Sequence, residues 1–280
     1  MDDKTVVADA CTVGETVLTT LPKPNPSRLV LKNLPPFSPV ASKVMALLRR
    51  DEVNFKEAAE LMKSDVAMAA EILRLANSPM TGLRFPTTSI LQALSVLGVN
   101  RVVSLTTTLC VGKLLKPVSK LPLMRRCWRH NLATALIAQQ WGDEYKVDPE
   151  KGYMFGLLAG LGRLALLVSE PTIYSQLADR AQVENIMLEV LETRFFGFDH
   201  LDVGVWLVSE WKLPPELVDV LSLTPAVGPN SDLAMLIREA GTEADRLGFG
   251  VLQKPASDSP EQASFDIAER VNQIEQELGV

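Results

Sequence analysis

His130 and His200 are the two histidines of this 280-residue chain. With Asp199, Asp202 or Glu192 they supply imidazole nitrogen and carboxylate oxygen, the donor types of a catalytic metal centre. Such a centre would polarise a phosphate and generate hydroxide. No His-x-x-x-His pair exists, so no helix face presents two imidazoles together. The structural alternative is that each histidine caps or bridges helices through side-chain hydrogen bonds, often to backbone carbonyls.

Cys127 lies among Arg125, Arg126 and Arg129 and three residues before His130. Positive charge there favours a thiolate, and a Cys–His nucleophile would also need an orienting group and an oxyanion hole. Otherwise Cys127 is a buried structural cysteine. The same arginines, with Arg49 and Arg50, offer an anion-binding surface for a nucleotide or phosphoprotein. The reading that charge patterning favours is a solvated helix face. Asn77 and Ser78 can satisfy helix-end carbonyls or fix the turn into Pro79.

Composition narrows the chemistry. A net charge of -6 argues against a general nucleic-acid binder, because affinity for a polyanion comes from clustered Lys and Arg. Cys11, Cys110 and Cys127 are widely spaced and form no Cys-x-x-Cys pair, so neither a disulfide framework nor a zinc knuckle is expected and a reducing cytoplasm fits best. The N-terminus lacks the apolar run of a secretory signal. The most apolar stretch, 154–168, is interrupted by Arg163 and falls short of the roughly 20 residues that cross a bilayer, so no membrane span is expected.

The elements that must position these residues read as helices. Residues 1–28 include Pro-Lys-Pro-Asn-Pro-Ser and form an extended arm. Arg28-Leu29-Val30-Leu31 either pairs as an edge strand or continues the arm. From Pro39, helical spacing puts Val40, Val44, Leu47 and Leu48 on one face. After Asn54…Glu57, Phe55, Ala58, Ala59 and Met62 share another. From Asp65, the inward face reads Val66, Ala69, Ala70, Leu73 and Ala76. Ser89…Gln92 opens a helix that Gly98 closes, and Asn100 caps the next to about Leu115. Later starts fall near Leu123, at Asp148-Pro149-Glu150, at Pro171, near Asp199 and at Pro214-Pro215-Glu216. Period-2 alternation with hairpin turns is missing, so the fold class is all-α: a multi-helix bundle with a short N-terminal arm and additional C-terminal helices. In the last of these, Ala263, Ile267, Val271, Ile274 and Leu278 make a narrow apolar stripe that must pack on the body or on a partner.

Three stretches together resemble the HDOD family, the bacterial HD-related output domains of signal-transduction proteins. The first is Leu34-Pro35-Pro36-Phe37, then Val40 and Ala41, Ser64-Asp65, the run from Ile72 to Ser78, and Ile90, Ala93 and Leu97-Gly98. The second is Cys127-Trp128-Arg129-His130-Asn131 with Gly156-Leu157-Leu158-Ala159-Gly160-Leu161-Gly162. The third is Phe196-Gly197-Phe198-Asp199-His200 with Gly204, Trp211, Leu213 and Pro214. The resemblance divides the chain into an arm (1–28), an HDOD-like helical domain (29–225) and a C-terminal helical extension (226–280).

The resemblance implies an HD-like helical domain related to metal-dependent phosphohydrolases. Those enzymes need a His, an adjacent His-Asp pair on the next helix and a later Asp. The first His corresponds to His130, but the pair falls on Ala159 and Gly160. A methyl group and a hydrogen bind no metal, and Gly156, Leu157, Leu158, Leu161 and Gly162 offer no substitute. A His-His pair that some members carry after Trp-x-Leu-Pro is Ser222 and Leu223 in this chain. The expectation is therefore a non-catalytic regulatory or scaffolding module, with no metal or cofactor, acting through contacts with signalling proteins on separate chains. Two alternatives stay open: a residual phosphohydrolase using His130 and His200, and a nucleotide or small-ligand sensor. Gly156, Ala159 and Gly160 also read as small residues that let backbones approach.

Overall fold

The computed structural model describes residues 37–46, 54–222, 230–252 and 262–279, with Pro26, Leu34 and Gly228. The rest of the arm, the 28–31 segment, Leu47 and Leu48, and Arg49 and Arg50 lie outside the described residues. Those described are helical, with no strand among them.

Local chemistry sets most helix starts. α1 (Pro39–Ala46) opens on proline. α2 (Phe55–Lys63) is capped by Asn54, whose side chain accepts from the Lys56 and Glu57 N–H groups. α3 (Val66–Ala76) is capped by Asp65 and α4 (Ile90–Leu97) by Ser89. Each cap satisfies amide donors that the first turn leaves without an intrahelical partner. α5 (Val99–Leu115) begins at Gly98, whose φ of 81° ends α4 and starts α5 without a side-chain cap. Asn100 is therefore not the cap the sequence suggests: its amide donates to Asp148 Oδ2 at 3.1 Å.

Two inward faces also differ from expectation. In α3 the buried residues are Met68, Ile72, Leu75 and Ala76, while Val66 is 80% exposed. In α2 Phe55 turns outward, leaving Ala58, Ala59 and Met62 inside.

The centre of the molecule is α6 (Pro122–Trp141), a helix about 30 Å long. It packs most extensively on α7 (Pro149–Ala159). Glycines set that distance: a Cβ at Gly156 would lie 2.8 Å from Ala135 Cα, and one at Gly152 2.8 Å from the Ala138 carbonyl oxygen. The packing role expected of Gly156 is what the structure shows. α8 (Leu161–Ser169) follows, then α9 (Pro171–Glu184), α10 (Leu188–Phe196), α11 (His200–Glu210), α12 (Glu216–Leu221) and α13 (Ser231–Ala244). One stretch of the described residues, Pro149–Ser169, is long and apolar enough to cross a bilayer, and 89% of that window is buried inside the chain.

α8 and α11 cross closely. A Cβ at Gly162 would stand 1.8 Å from the His200 carbonyl oxygen and 2.6 Å from the Gly204 nitrogen. Both atoms are backbone, so neither can swing aside. Gly162→Ala is expected to lower stability by about 3 kcal/mol, the upper end of ordinary overpacking. Urea unfolding checks this, and a loss under about 1 kcal/mol would contradict the close approach.

The terminal helix α14 (Gln262–Leu278) lies on α6 of the same chain. Ile267, Val271 and Ile274 of the expected stripe are buried. Near the other end, Phe37 stacks on Trp211, with ring centroids 5.0 Å apart, and Ser42 Oγ donates to the Trp211 carbonyl at 2.7 Å. Two stretches far apart in sequence thus meet through one aromatic contact.

Candidate functional site

His130 lies on α6, and Ala159 and Gly160 form the joint between α7 and α8. Space for a side chain at 160 is already taken. A Cβ there would fall 2.1 Å from Asn131 Oδ1, while Asn131 Nδ2 donates to the Leu157 carbonyl at 3.2 Å. Among the described residues no group of three or more His, Cys, Asp or Glu converges as a metal site would require. The donors of a hydrolase metal do not fit here, because the expected pair has no donor atoms and an amide fills one of its positions.

His200 is buried and committed elsewhere. Its Nδ1 lies 2.7 Å from Glu192 Oε2, and its backbone N–H donates to the same oxygen at 2.9 Å. Its Nε2 is 2.9 Å from Arg163 Nη2. A guanidinium only donates, so Nε2 accepts and Nδ1 carries the proton; the partners assign a neutral ring. Glu192, with no exposed surface, also accepts from the Tyr174 hydroxyl. Burial pushes its carboxyl up, but the hydrogen bonds it accepts from the His200 ring, the Tyr174 hydroxyl and the His200 backbone outweigh that and hold it below its usual value. Asp199 and Asp202 are not donors to this cluster: they form the capping box that starts α11.

His130 is separate from this chain of bonds. Nδ1 has no hydrogen-bond partner and sits 3.4 Å from Asp245 Oδ1. Burial, followed by the charge of Arg163, lowers its pKa to about 3. A hydrogen bond with the Phe249 backbone opposes this without outweighing it. Cys127 is buried, and burial raises its thiol to about 11 despite Arg163 and Arg126. It is a protonated core cysteine at neutral pH, not an activated nucleophile.

The arginines expected to face an anion are occupied by the chain itself. Arg129 donates to Glu275 at 2.6 Å and Asn272 at 2.7 Å, both on α14, and its guanidinium lies over the Phe249 ring. Arg126 donates to the Val251 carbonyl at 3.0 Å. Arg125, 66% exposed, reaches Glu275 at 3.4 Å. Asn77 is tied to Thr87, donating to its carbonyl and accepting from its N–H. Ser78 Oγ is buried without a hydrogen-bond partner.

Sequence reasoning passed over Arg163, Tyr174 and Asn131. The signal for Arg163 was there: it is the only charge in the apolar run 154–168. A lone charge inside buried helices must find partners or lose stability. Nothing comparable marks Tyr174 or Asn131.

The HDOD domain model matches residues 34–225. The chain belongs to the HDOD domain family. Solved structures share the fold. An HDOD domain protein of unknown function from Geobacter sulfurreducens is 24% identical with a TM-score of 0.69, covering 85% of this chain and 83% of that one. A "Putative phosphohydrolase" from Shewanella amazonensis SB2B is 20% identical with a TM-score of 0.66, covering 89% and 98%. A "Putative signal transduction protein" from Marinobacter aquaeolei VT8 is 21% identical with a TM-score of 0.63, covering 88% and 59%. At these identities the likeness establishes the fold alone. An uncharacterized protein of Treponema pallidum (strain Nichols) is 21% identical over 193 residues, and the chain spans 37% of its length. Within this HDOD chain the three stretches of the resemblance fall inside the matched region and meet in the folded core, through Phe37 with Trp211 and Gly162 with His200.

Proposed function

We propose that this HDOD chain is a non-catalytic regulatory or scaffolding module of bacterial signal transduction, working through contacts with signalling proteins on separate chains. The observation that carries the non-catalytic part is the α7–α8 joint, where Asn131 fills the space beside Gly160 and no donor group converges. A metal hydrolase must hold its ion with several nitrogen or oxygen donors at once. The polar groups nearby are instead bonded to one another: His200, Glu192, Tyr174 and Arg163 form a buried network. Family membership, and the name of the Marinobacter relative, support the signalling role. Val183 and Met187, exposed at the turn from α9 into α10, and Phe195, exposed at the far end of α10, suit protein contacts better than solvent.

The test is direct. The purified full chain, supplied in turn with Mg²⁺, Mn²⁺ and Fe²⁺, is assayed against chromogenic phosphate mono- and diesters. No metal-dependent turnover above the blank is expected. Turnover that needs the metal and disappears in His130→Ala would overturn the reading in favour of a residual phosphohydrolase.

A further inference from the structure

Where α14 lies across the body, a cavity of about 180 Å³ remains at the seam. Arg101 of α5, Leu136 of α6 and Tyr153 of α7 line one side, and Arg270 and Gln273 of α14 line the other. This is not the degenerate hydrolase position. Leu136 is six residues beyond His130, and Tyr153 six residues before Ala159, each about 9 Å away along its helix axis.

The charge around the cavity does not balance. Arg101 Nη1 lies 3.3 Å from Glu150 Oε1, an oxygen that also accepts from Gln139 Nε2 at 2.8 Å. Arg270 has only a neutral partner, donating from Nη2 to Gln139 Oε1 at 2.9 Å. Among the described residues no carboxylate lies within ion-pairing distance of it. Burial chiefly, with the like charge of Arg101 acting in the same direction, holds Arg270 below its usual pKa against the opposing effects of Tyr153 and Glu150. Two guanidinium groups therefore share one cavity and one carboxylate. The Tyr153 hydroxyl, bonded to Thr108 Oγ1 at 3.1 Å, adds no charge at neutral pH because burial raises it further.

Guanidinium forks donate in pairs and match the oxygens of carboxylate and phosphate. Here the two forks come from opposite walls. A planar carboxylate has two oxygens and serves one fork well, whereas a tetrahedral phosphate has acceptors enough for both. The volume exceeds the roughly 150 Å³ of a cavity that holds benzene, so a phosphate with a short substituent fits.

We propose that this seam binds a small phosphate-bearing anion between Arg101 and Arg270, and that binding fastens α14 to the helical body. The site does not depend on the regulatory reading, since a chain that did hydrolyse phosphate esters would still carry it. The coupling follows from linkage. A ligand that touches both α14 and α5 binds the docked helix better than the undocked one, so it shifts the balance toward docking.

The experiment is calorimetric titration of the full chain with inorganic phosphate and with glycerol 3-phosphate, at constant ionic strength in chloride. Saturable binding is expected, weakened about tenfold or more in Arg270→Gln, as for loss of a charged hydrogen-bond partner. Arg270→Lys keeps the charge but not the fork and is expected to fall between. Hydrogen exchange of 262–278 in the unmodified chain should slow when phosphate is added. Tighter binding of the ester points to a phosphorylated small molecule and tighter binding of phosphate to the free ion; both support the site. Equal affinity in wild type and Arg270→Gln, no saturable heat with either compound at millimolar concentration, or unchanged exchange in α14 would each overturn it.

Discussion

Glu192→Ala is expected to destabilise the folded chain by about 3–5 kcal/mol, the usual result of removing one partner from a buried charge pair. Glu192 is fully buried and accepts from three directions: the His200 backbone, the His200 ring and the Tyr174 hydroxyl. Truncation leaves those three donors unsatisfied. It also leaves the Arg163 guanidinium facing only the His200 ring at 2.9 Å and Glu189 at 3.9 Å. Glu192→Gln keeps the volume and one acceptor and should lose roughly half as much. The double change Arg163→Met with Glu192→Leu removes both charges together, and most of the loss should be recovered, because apolar replacement of a buried pair is often neutral. Guanidinium chloride unfolding of the four proteins is the measurement. An alanine variant within about 1 kcal/mol of wild type would mean that the network is not closed in solution.

The helices were readable because their starts are local events. Asn54, Asp65, Ser89, Asp148 and Asp199 each accept from a first-turn amide as their residue types suggest. The face of a helix is less local. In α3 the sequence Val-Ala-Met-Ala-Ala-Glu-Ile-Leu-Arg-Leu-Ala offers more than one apolar stripe, and only its neighbours select Met68, Ile72 and Leu75 over Val66 and Leu73. Asn100 misled for a related reason. Gly98, at φ 81°, sets the start of α5 by backbone conformation, which frees the Asn100 amide for Asp148, 48 residues away.

At the site, loss of donors at Ala159 and Gly160 could be read from residue types, since no placement gives a hydrogen atom a lone pair. What filled the space could not. Asn131 reaches Gly160 from another helix, and the network draws Arg163, Tyr174, Glu192 and His200 from α8, α9, α10 and α11. No spacing rule spans four helices. The arginine row shows the same limit: the sequence displays its charge but not that Glu275, 146 residues from Arg129, lies over it.

His130 supplies a different kind of test, because its contribution is visible in pH and not in a contact. Its pKa is lowered from 6.5 to about 3, chiefly by burial and then by the Arg163 charge. The folded chain therefore resists a proton that the unfolded chain accepts. Stability from this neutral ring is fully present above pH 6.5 and is lost as pH falls, until the folded ring also protonates near pH 3. At 1.36 kcal/mol per unit the whole loss approaches about 5 kcal/mol, of which about 2 falls between pH 6.5 and 5. Glu192 moves in the same direction but lower: its folded pKa lies below the ordinary 4.5, so its share is lost only as pH falls beneath that value. The window from 6.5 to 5 thus belongs to imidazole. In His130→Gln, which cannot titrate there, the fall across the window should be smaller than wild type by about 2 kcal/mol, whatever the substitution costs at neutral pH. Denaturant unfolding at half-unit pH steps makes the comparison. Parallel curves would mean that the His130 ring is not held dry in the folded chain.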